Sequence, residues 1–257
     1  MREEREAKTR VTKIWGHRGF SGRFPENTLL AFERALEMGV DGIELDVHRL
    51  ADGQIAVMHD ASAARTTGVR RQLMDMSQDE LKLLDAGGWK GEGFSGQKVP
   101  MLDEVLNLLA KFPKATINVE IKQQKDGAVY PHLVEDVWNK IEQHGLAKRC
   151  IVSSFHHVEL HTASARLQNF AYGLLTHECL VAPWEYVSRV GASAFHPNFR
   201  TLDASVVDAC HEQHLRVHAY TVNTREDATR LFDMGVDAVC TDYPDILLPL
   251  QKEYFGL

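Results

Sequence analysis

The chain is poor in cysteine, and its cysteines form no local pairs. It has 257 residues and only 4 cysteines, at positions 150, 179, 210 and 240, with no CxxC motif. This wide spacing argues against a zinc knuckle or a dithiol redox site and favours buried or half-buried apolar side chains. Sparse, unpaired cysteine fits a reducing compartment, and we expect the protein to be cytoplasmic.

Long apolar runs and an excess of basic charge are also missing. No run approaches the roughly 18 apolar residues that a membrane span requires, and the charged start MREEREAKTR shows no secretory signal. The formal net charge is −7, which argues against nucleic acid as the main partner because phosphate backbones attract basic surfaces. We expect a small-molecule partner, and the sequence leaves the oligomeric state open.

Strand and helix patterns alternate along most of the chain. The main strand patterns number eight, and a helical pattern lies between each successive pair. They cover residues 11–16, 40–47, 115–122, 149–153, 170–175, 192–196, 215–221 and 236–241. This alternation favours the α/β class and a (β/α)8 TIM barrel, which we expect to form one domain over residues 1–257. An open doubly wound sheet lacks support, because no GxGxxG or GxxxxGK[ST] turn is present.

The segment after the second strand departs from this alternation. Ala51-Asp52-Gly53 is a turn signal, and residues 54–59 form an extra strand pattern, which together predict a hairpin. Residues 60–100 are rich in Gly, Ser, Asp, Gln and Arg, with one short helical pattern near residues 79–84. We therefore predict a small insertion at about residues 60–100, packed over one end of the barrel.

The second strand carries two acidic side chains at alternate positions. In the run from Asp41 to Val47, Glu44 and Asp46 point to one face and the apolar side chains point to the other. Two buried carboxylates repel each other unless something neutralises them, and a hard cation such as Ca²⁺ or Mg²⁺ would do so. Taken alone, the stretch also fits an exposed edge strand with its acids in water.

Polar residues recur where other strands end, and they favour the functional interpretation. The first strand ends in His17 and Arg18, the hairpin ends in His59, and the third main strand carries Glu120 and Lys122. Barrel enzymes build their sites at the carboxyl ends of the strands, so these groups should meet at one mouth.

Three further histidines are weaker candidates for the functional site. His48 continues the acidic face but is expected to lie past the mouth in a loop. His196 and His218 are expected to pack at the rim.

Several motifs together resemble the glycerophosphodiester phosphodiesterase family. They are HRG, PENTLLAFERALEMGVDGIELDV and DGQIAVMHD, followed by RTTG, LLDAGGW, VPMLDEVL, NVEIK, SSF, TVN and GVDAVCTDYP. The likeness spans nearly the whole chain, and the combination is far more specific than any single piece. The resemblance implies a barrel with an inserted segment after the second strand, and hydrolysis of glycerophosphodiesters such as glycerophosphocholine or glycerophosphoethanolamine to glycerol 3-phosphate and an alcohol.

The resemblance also implies roles for particular residues. One divalent cation, Ca²⁺ or Mg²⁺ with Mn²⁺ as a further option, would bind the carboxylates of Glu44, Asp46 and Glu120. The two catalytic histidines match His17 and His59, and the phosphate-contacting basic residues match Arg18 and Lys122. The sequence does not say which histidine is acid and which is base, or whether water or a glycerol hydroxyl attacks the phosphorus.

One departure and three alternatives qualify this interpretation. Tyr220 stands where the family often has Trp, which bears on the shape of the alcohol pocket. A lysophospholipase D-like enzyme would share the site but need an apolar groove for an acyl chain, which Trp89, Phe94 and Met101 could line. A sugar-phosphate isomerase or aldolase would share the barrel without needing three carboxylates for a metal. A phosphate- or metal-binding barrel without turnover would leave the acid and base positions unused.

Overall fold

The computed structural model describes residues 10–257, whose strands close into a barrel. Its nine strands are β1 (Lys13–His17), β2 (Gly42–Arg49), β3 (Ile55–Val57), β4 (Thr116–Ile121), β5 (Cys150–Ser154), β6 (Tyr172–Thr176), β7 (Ala194–Pro197), β8 (Arg216–Ala219) and β9 (Ala238–Thr241). Eight run parallel in the order β1-β9-β8-β7-β6-β5-β4-β2, and β1 pairs with β2 to close the ring. The predicted (β/α)8 barrel is confirmed.

Helices follow the strands around the outside of the barrel, except for two short helices, which lie in the insertion. The helices are α1 (Leu29–Glu37), α2 (Ala64–Thr67), α3 (Gln78–Leu83), α4 (Leu102–Ala110), α5 (Leu133–Gln143), α6 (His157–Ser164), α7 (Pro183–Arg189), α8 (Ala204–Glu212), α9 (Arg225–Met234) and α10 (Pro244–Phe255). Side chains with a carboxylate or hydroxyl oxygen cap several of them; Thr28, for example, accepts from the backbone N–H of Ala31 and starts α1. No helix in the described part of the chain is long and apolar enough to cross a membrane.

The main hydrophobic core lies between the strands and the surrounding helices. Outward-facing strand residues such as Ile43, Leu45 and Val119 pack there against helix residues such as Phe32 and Trp138, and all five are fully buried. Their strand neighbours point into the barrel, because successive side chains alternate between the two faces. The polar positions that the sequence identified therefore face the barrel interior.

The hairpin and the insertion also match the prediction. β3 pairs antiparallel with the end of β2, with Val47 opposite Val57. Residues 60–100 contain α2, α3 and two 3₁₀ turns around a small apolar core that includes Leu73, Leu81 and Met101. The insertion also reaches the loop that follows β1, where Phe94 packs edge-on against Phe24 at 5.7 Å between ring centroids.

Candidate active site

Three carboxylates converge inside the mouth of the barrel. Glu44 and Asp46 lie on the inward face of β2, and the parallel register places Asp46 beside Glu120 of β4. All three side chains are buried, and one oxygen from each lies within 4.8 Å of the others. The three residues therefore form a buried acidic triad that can hold a metal ion.

The electrostatics of this triad fit a hard divalent cation. Burial and the charge of Asp46 raise the pKa of Glu44 to about 8. Burial alone would raise the pKa of Asp46, but the charges of Lys122 and Arg18 outweigh it and lower that pKa. A cluster of three carboxylates matches the all-oxygen ligand sets that Ca²⁺ and Mg²⁺ prefer.

Two basic side chains lie against the triad. Lys122 Nζ is 2.5 Å from Glu120 Oε1 and 3.1 Å from Asp46 Oδ1. Arg18 donates its backbone N–H to Glu44 Oε2 at 2.9 Å, and its Nε lies 3.4 Å from Asp46 Oδ2. Positive charge this close can bind a phosphate oxygen as well as balance the carboxylates.

The turn after β1 explains how Arg18 reaches this position. Arg18 has a φ of 54° and Gly19 a φ of 80°, both in the left-handed region. A Cβ at Gly19 would lie 2.5 Å from the backbone carbon of Ala31, so the close approach of the turn to α1 requires glycine.

Each candidate histidine has a carboxylate behind it. His17 Nδ1 lies 2.6 Å from Asp242 Oδ1, and its Nε2 lies 4.0 Å from Glu44 Oε2. His59 Nδ1 lies 2.7 Å from Asp60 Oδ1, and the ring lines a cavity together with Glu120. A carboxylate that accepts a bond from Nδ1 fixes the tautomer and leaves Nε2 for proton exchange.

Asp242 was not among the sequence candidates. It follows β9 directly, accepts a hydrogen bond from Asn223 Nδ2 at 2.7 Å, and lies 2.8 Å from the Ser21 hydroxyl. The sequence signal was an acidic residue at the carboxyl end of the last strand, the same criterion that identified His17.

The prediction for His48 was wrong. His48 belongs to β2, is 1% exposed, and bonds to the Tyr130 hydroxyl at 3.0 Å and the His59 carbonyl at 3.1 Å. Burial, as the largest cause, lowers the pKa of His48 to about 4. The side chain is therefore a neutral support for the backbone of His59 rather than a loop residue, because β2 runs two residues further than the pattern predicted.

His196 and His218 are packed side chains, as predicted. Their predicted position at the rim of the barrel was wrong. Both are buried inside the barrel, and His218 Nδ1 lies 2.8 Å from His196 Nε2. Trp15 packs edge-on against His218 at 4.6 Å between ring centroids. Strand alternation points both histidines inward, so they fill the barrel below the mouth.

Tyr220 shapes the β8 side of the mouth. Its hydroxyl donates to the Thr176 carbonyl at 2.8 Å and lies 3.2 Å from His177 Nδ1. Phe155 stacks on His177 at 4.3 Å between ring centroids. Tyr220 thus belongs to an aromatic wall beside the acidic triad.

Fold and site define a (β/α)8 barrel whose mouth contains a buried acidic triad that can hold a metal ion. Comparison with known proteins then identifies the family. The family model described as "Glycerophosphoryl diester phosphodiesterase family" matches residues 17–246. The chain belongs to this family of phosphoric diester hydrolases.

Individual relatives agree with this assignment. A glycerophosphodiester phosphodiesterase of Bacillus altitudinis is 36% identical over 95% of this chain and 99% of its own length. The corresponding protein of Caldanaerobacter subterraneus is 37% identical over 94% of this chain and 98% of its own. An Oleispira antarctica phosphodiesterase, solved in complex with its product sn-glycerol-3-phosphate, superposes with a TM-score of 0.83 and 28% identity, covering 93% of this chain and 96% of that one.

Proposed function

We propose that this chain hydrolyses glycerophosphodiesters to glycerol 3-phosphate and an alcohol, using one divalent cation held by Glu44, Asp46 and Glu120. The observation that carries the proposal is the buried acidic triad, with one oxygen of each residue within 4.8 Å of the others. The product found in the Oleispira antarctica structure supports the choice of substrate. Calcium and magnesium suit the oxygen ligands best, and manganese is a further option.

The cation, when bound, supplies a Lewis acid for a phosphoryl oxygen. The two basic side chains supply further positive charge. Arg18 directs guanidinium N–H donors toward the mouth, and Lys122 adds a point charge 2.5 Å from Glu120. Both groups stand where they would meet the growing negative charge of a phosphodiester under attack.

His17 and His59 are proposed as the acid and base. The carboxylate behind each ring holds its Nδ1 proton and leaves Nε2 to take up or deliver a proton. One ring takes a proton from the attacking group, either water or a glycerol hydroxyl, and the other protonates the departing alcohol. His17 ends the barrel strand β1 and His59 follows the hairpin strand β3, so the two rings can approach the phosphorus from different sides.

The lining of the mouth favours a water-soluble diester over a lysophospholipid. A cavity of about 360 Å³ beside His59 is lined largely by polar side chains, among them Lys122, Gln123 and Gln124. Two of the apolar residues that could have lined an acyl groove have other partners: Phe94 packs on Phe24, and Met101 is 4% exposed in the core of the insertion. Among the residues that line this cavity, only Ile121 and Phe155 have large apolar side chains that an acyl chain could contact.

A substrate panel with defined metals tests the proposal. The metal-stripped protein is assayed with glycerophosphocholine, glycerophosphoethanolamine, lysophosphatidylcholine and a sugar phosphate, with and without Ca²⁺, Mg²⁺ or Mn²⁺. We expect metal-dependent release of glycerol 3-phosphate from glycerophosphocholine and glycerophosphoethanolamine.

Turnover confined to the lysolipid would favour the lysophospholipase D alternative. Turnover of a sugar phosphate without metal would favour an isomerase or aldolase. Full activity in excess chelator would contradict the role of the cation.

A further inference from the structure

Arg65 in the insertion holds two carboxylates that belong to different parts of the chain. It lies in the short helix α2, and its Nη1 and Nη2 donate to Glu26 Oε2 and Oε1 at 2.8 and 2.7 Å. Its Nε and Nη2 also donate to Asp60 Oδ2 and Oδ1 at 2.8 and 3.0 Å. One planar guanidinium therefore bridges the loop after β1 and the end of the hairpin.

Each of these carboxylates continues to a residue of the proposed site. Glu26 Oε1 accepts from Arg18 Nη1 at 2.9 Å. Asp60 Oδ1 lies 2.7 Å from His59 Nδ1. A continuous path of hydrogen bonds thus runs from Arg18 through Glu26, Arg65 and Asp60 to His59.

We infer that Arg65 is a positioning residue that fixes Arg18 and His59 relative to each other. The inference rests on the proposed function, because it assigns Arg65 a part in the same reaction. Its side-chain hydrogen bonds within residues 10–257 go to Glu26 and Asp60 alone, so it acts through them and does not reach the acidic triad. The insertion thereby becomes part of the active-site framework.

The geometry requires arginine rather than any cation. A guanidinium presents a rigid fork of donors that can bind two carboxylates in a bidentate manner, whereas an ammonium is a single point charge. Without the fork, Glu26 is free to draw more of the Arg18 donors toward itself. Asp60 is then free to rotate, and the His59 ring loses its fixed orientation.

Kinetics of Arg65→Gln and Arg65→Lys test this role in the metal-loaded enzyme with glycerophosphocholine. We expect kcat to fall roughly 10²-fold in Arg65→Gln, the usual effect of a misplacement of about 1 Å. Arg65→Lys should show most of the same fall in kcat, because an ammonium group cannot bind both carboxylates as the guanidinium does. The matched control is Arg71→Gln, another insertion arginine, which is ion-paired with Glu80 at 2.8 Å and should keep wild-type kinetics. Full rescue by Arg65→Lys would overturn the inference, because charge alone would then suffice.

Double-variant cycles separate positioning from a purely structural role. In a His59→Ala background, Arg65→Gln should lower kcat much less than in the wild type, because the group that it positions is gone. In an Arg18→Ala background, Arg65→Gln should no longer weaken glycerol 3-phosphate binding measured by calorimetry. Additive losses in both cycles would contradict the inference.

Two further measurements keep the test decisive. If thermal unfolding shows that Arg65→Gln does not fold, Glu26→Gln and Asp60→Asn break the contacts toward Arg18 and toward His59 separately. Glu26→Gln should mainly weaken product binding. Asp60→Asn should mainly lower kcat. If the wild-type protein turns over no diester, the proposed function fails on its own. A crystal structure of Arg65→Lys then decides the inference, which is overturned if Arg18 and His59 keep their wild-type positions.

Discussion

His17 on the first strand and Asp242 just beyond the last strand are joined by a contact of 2.6 Å between Nδ1 and Oδ1. Because β1 and β9 are hydrogen-bonded neighbours, the closure of the barrel creates this pair from the two ends of the chain. Burial opposes protonation of His17, but the hydrogen bond to Asp242 and the charge of Glu44 outweigh it, so the pKa of His17 is raised.

Replacement of Asp242 by Asn should therefore change both catalysis and stability. We expect kcat to fall, by less than the loss of His17 itself, because the ring loses the acceptor that fixes its tautomer. A raised histidine pKa stabilises the fold fully below the unfolded value of about 6.5, and this contribution is lost as pH rises through the folded pKa. The lowered pKa of Asp242 works in the opposite sense, since its contribution is lost as pH falls below the unfolded value of about 3.9. The difference in the free energy of unfolding between wild type and variant, measured with denaturant, should therefore be largest between about pH 4 and about pH 6.5 and should narrow on either side.

The control for Asp242→Asn is Asp237→Asn. It removes another carboxylate beside a histidine, His211 at 2.9 Å, away from the site. This control should lose stability and keep kcat. Equal kcat in Asp242→Asn and wild type would remove Asp242 from the positioning of His17.

The two histidines should behave as one catalytic unit. His17→Ala and His59→Ala should each lower kcat by roughly 10²–10⁴, the range for a positioned proton-transfer group. The double variant should be little worse than the poorer single variant. A diester with a nitrophenol leaving group needs no protonation on departure, so it should rescue only the variant that lacks the acid. Near-normal rates of both single variants on glycerophosphocholine would show that the two-histidine mechanism is wrong.

Glu44→Gln should weaken metal binding and stabilise the metal-free protein at high pH. The pKa of Glu44 is raised from 4.5 to about 8, so the folded state binds more protons than the unfolded state between these values. The stability that this group contributes therefore falls as pH rises from 4.5 to about 8, by up to about 1.4 kcal/mol per pH unit. The wild type should lose stability relative to Glu44→Gln across this window, and added metal should restore it.

Calorimetric titration with Ca²⁺ and Mg²⁺ provides the second measurement for Glu44. Affinity should rise with pH up to about 8, because the metal must displace the proton on Glu44. Glu37→Gln, which alters an exposed carboxylate paired with Arg34, is the matched control and should bind metal normally. Unchanged affinity in Glu44→Gln would exclude Glu44 from the metal site.

Local patterns predicted the triad because strand alternation and barrel closure are enough to place it. Glu44 and Asp46 share a face by their spacing, and the parallel neighbour brings Glu120 beside them. His48 could not be placed in this way. Its burial depends on the hairpin strand that covers it and on Tyr130, which lies 82 residues away in the chain.

The contacts of the insertion were equally beyond local patterns. Composition predicted that residues 60–100 depart from the barrel repeat, but the bond from Arg65 to Glu26 spans 39 residues and joins the short helix α2 to the loop after β1. Loop conformations depend on individual turns and side-chain contacts rather than on a repeating period. The sequence therefore predicts the strand-borne part of the site better than the loops that support it.

Gly173→Ala should destabilise the barrel from within. A Cβ at Gly173 would lie 2.4 Å from His196 Nε2 and 2.7 Å from its Cε1. The ring has little freedom to move, because it is buried and its Nε2 lies 2.8 Å from His218 Nδ1. We expect a loss of about 1–3 kcal/mol in the free energy of unfolding, the usual cost of overpacking a core.

In a His196→Ala background the same change should cost much less, because the clash is removed. Gly93→Ala is the control, since nothing lies within 4 Å of its added Cβ, and it should stay within about 0.5 kcal/mol of wild type. Denaturant unfolding measures all four variants, and wild-type stability in Gly173→Ala would show that the barrel interior is looser than this packing implies.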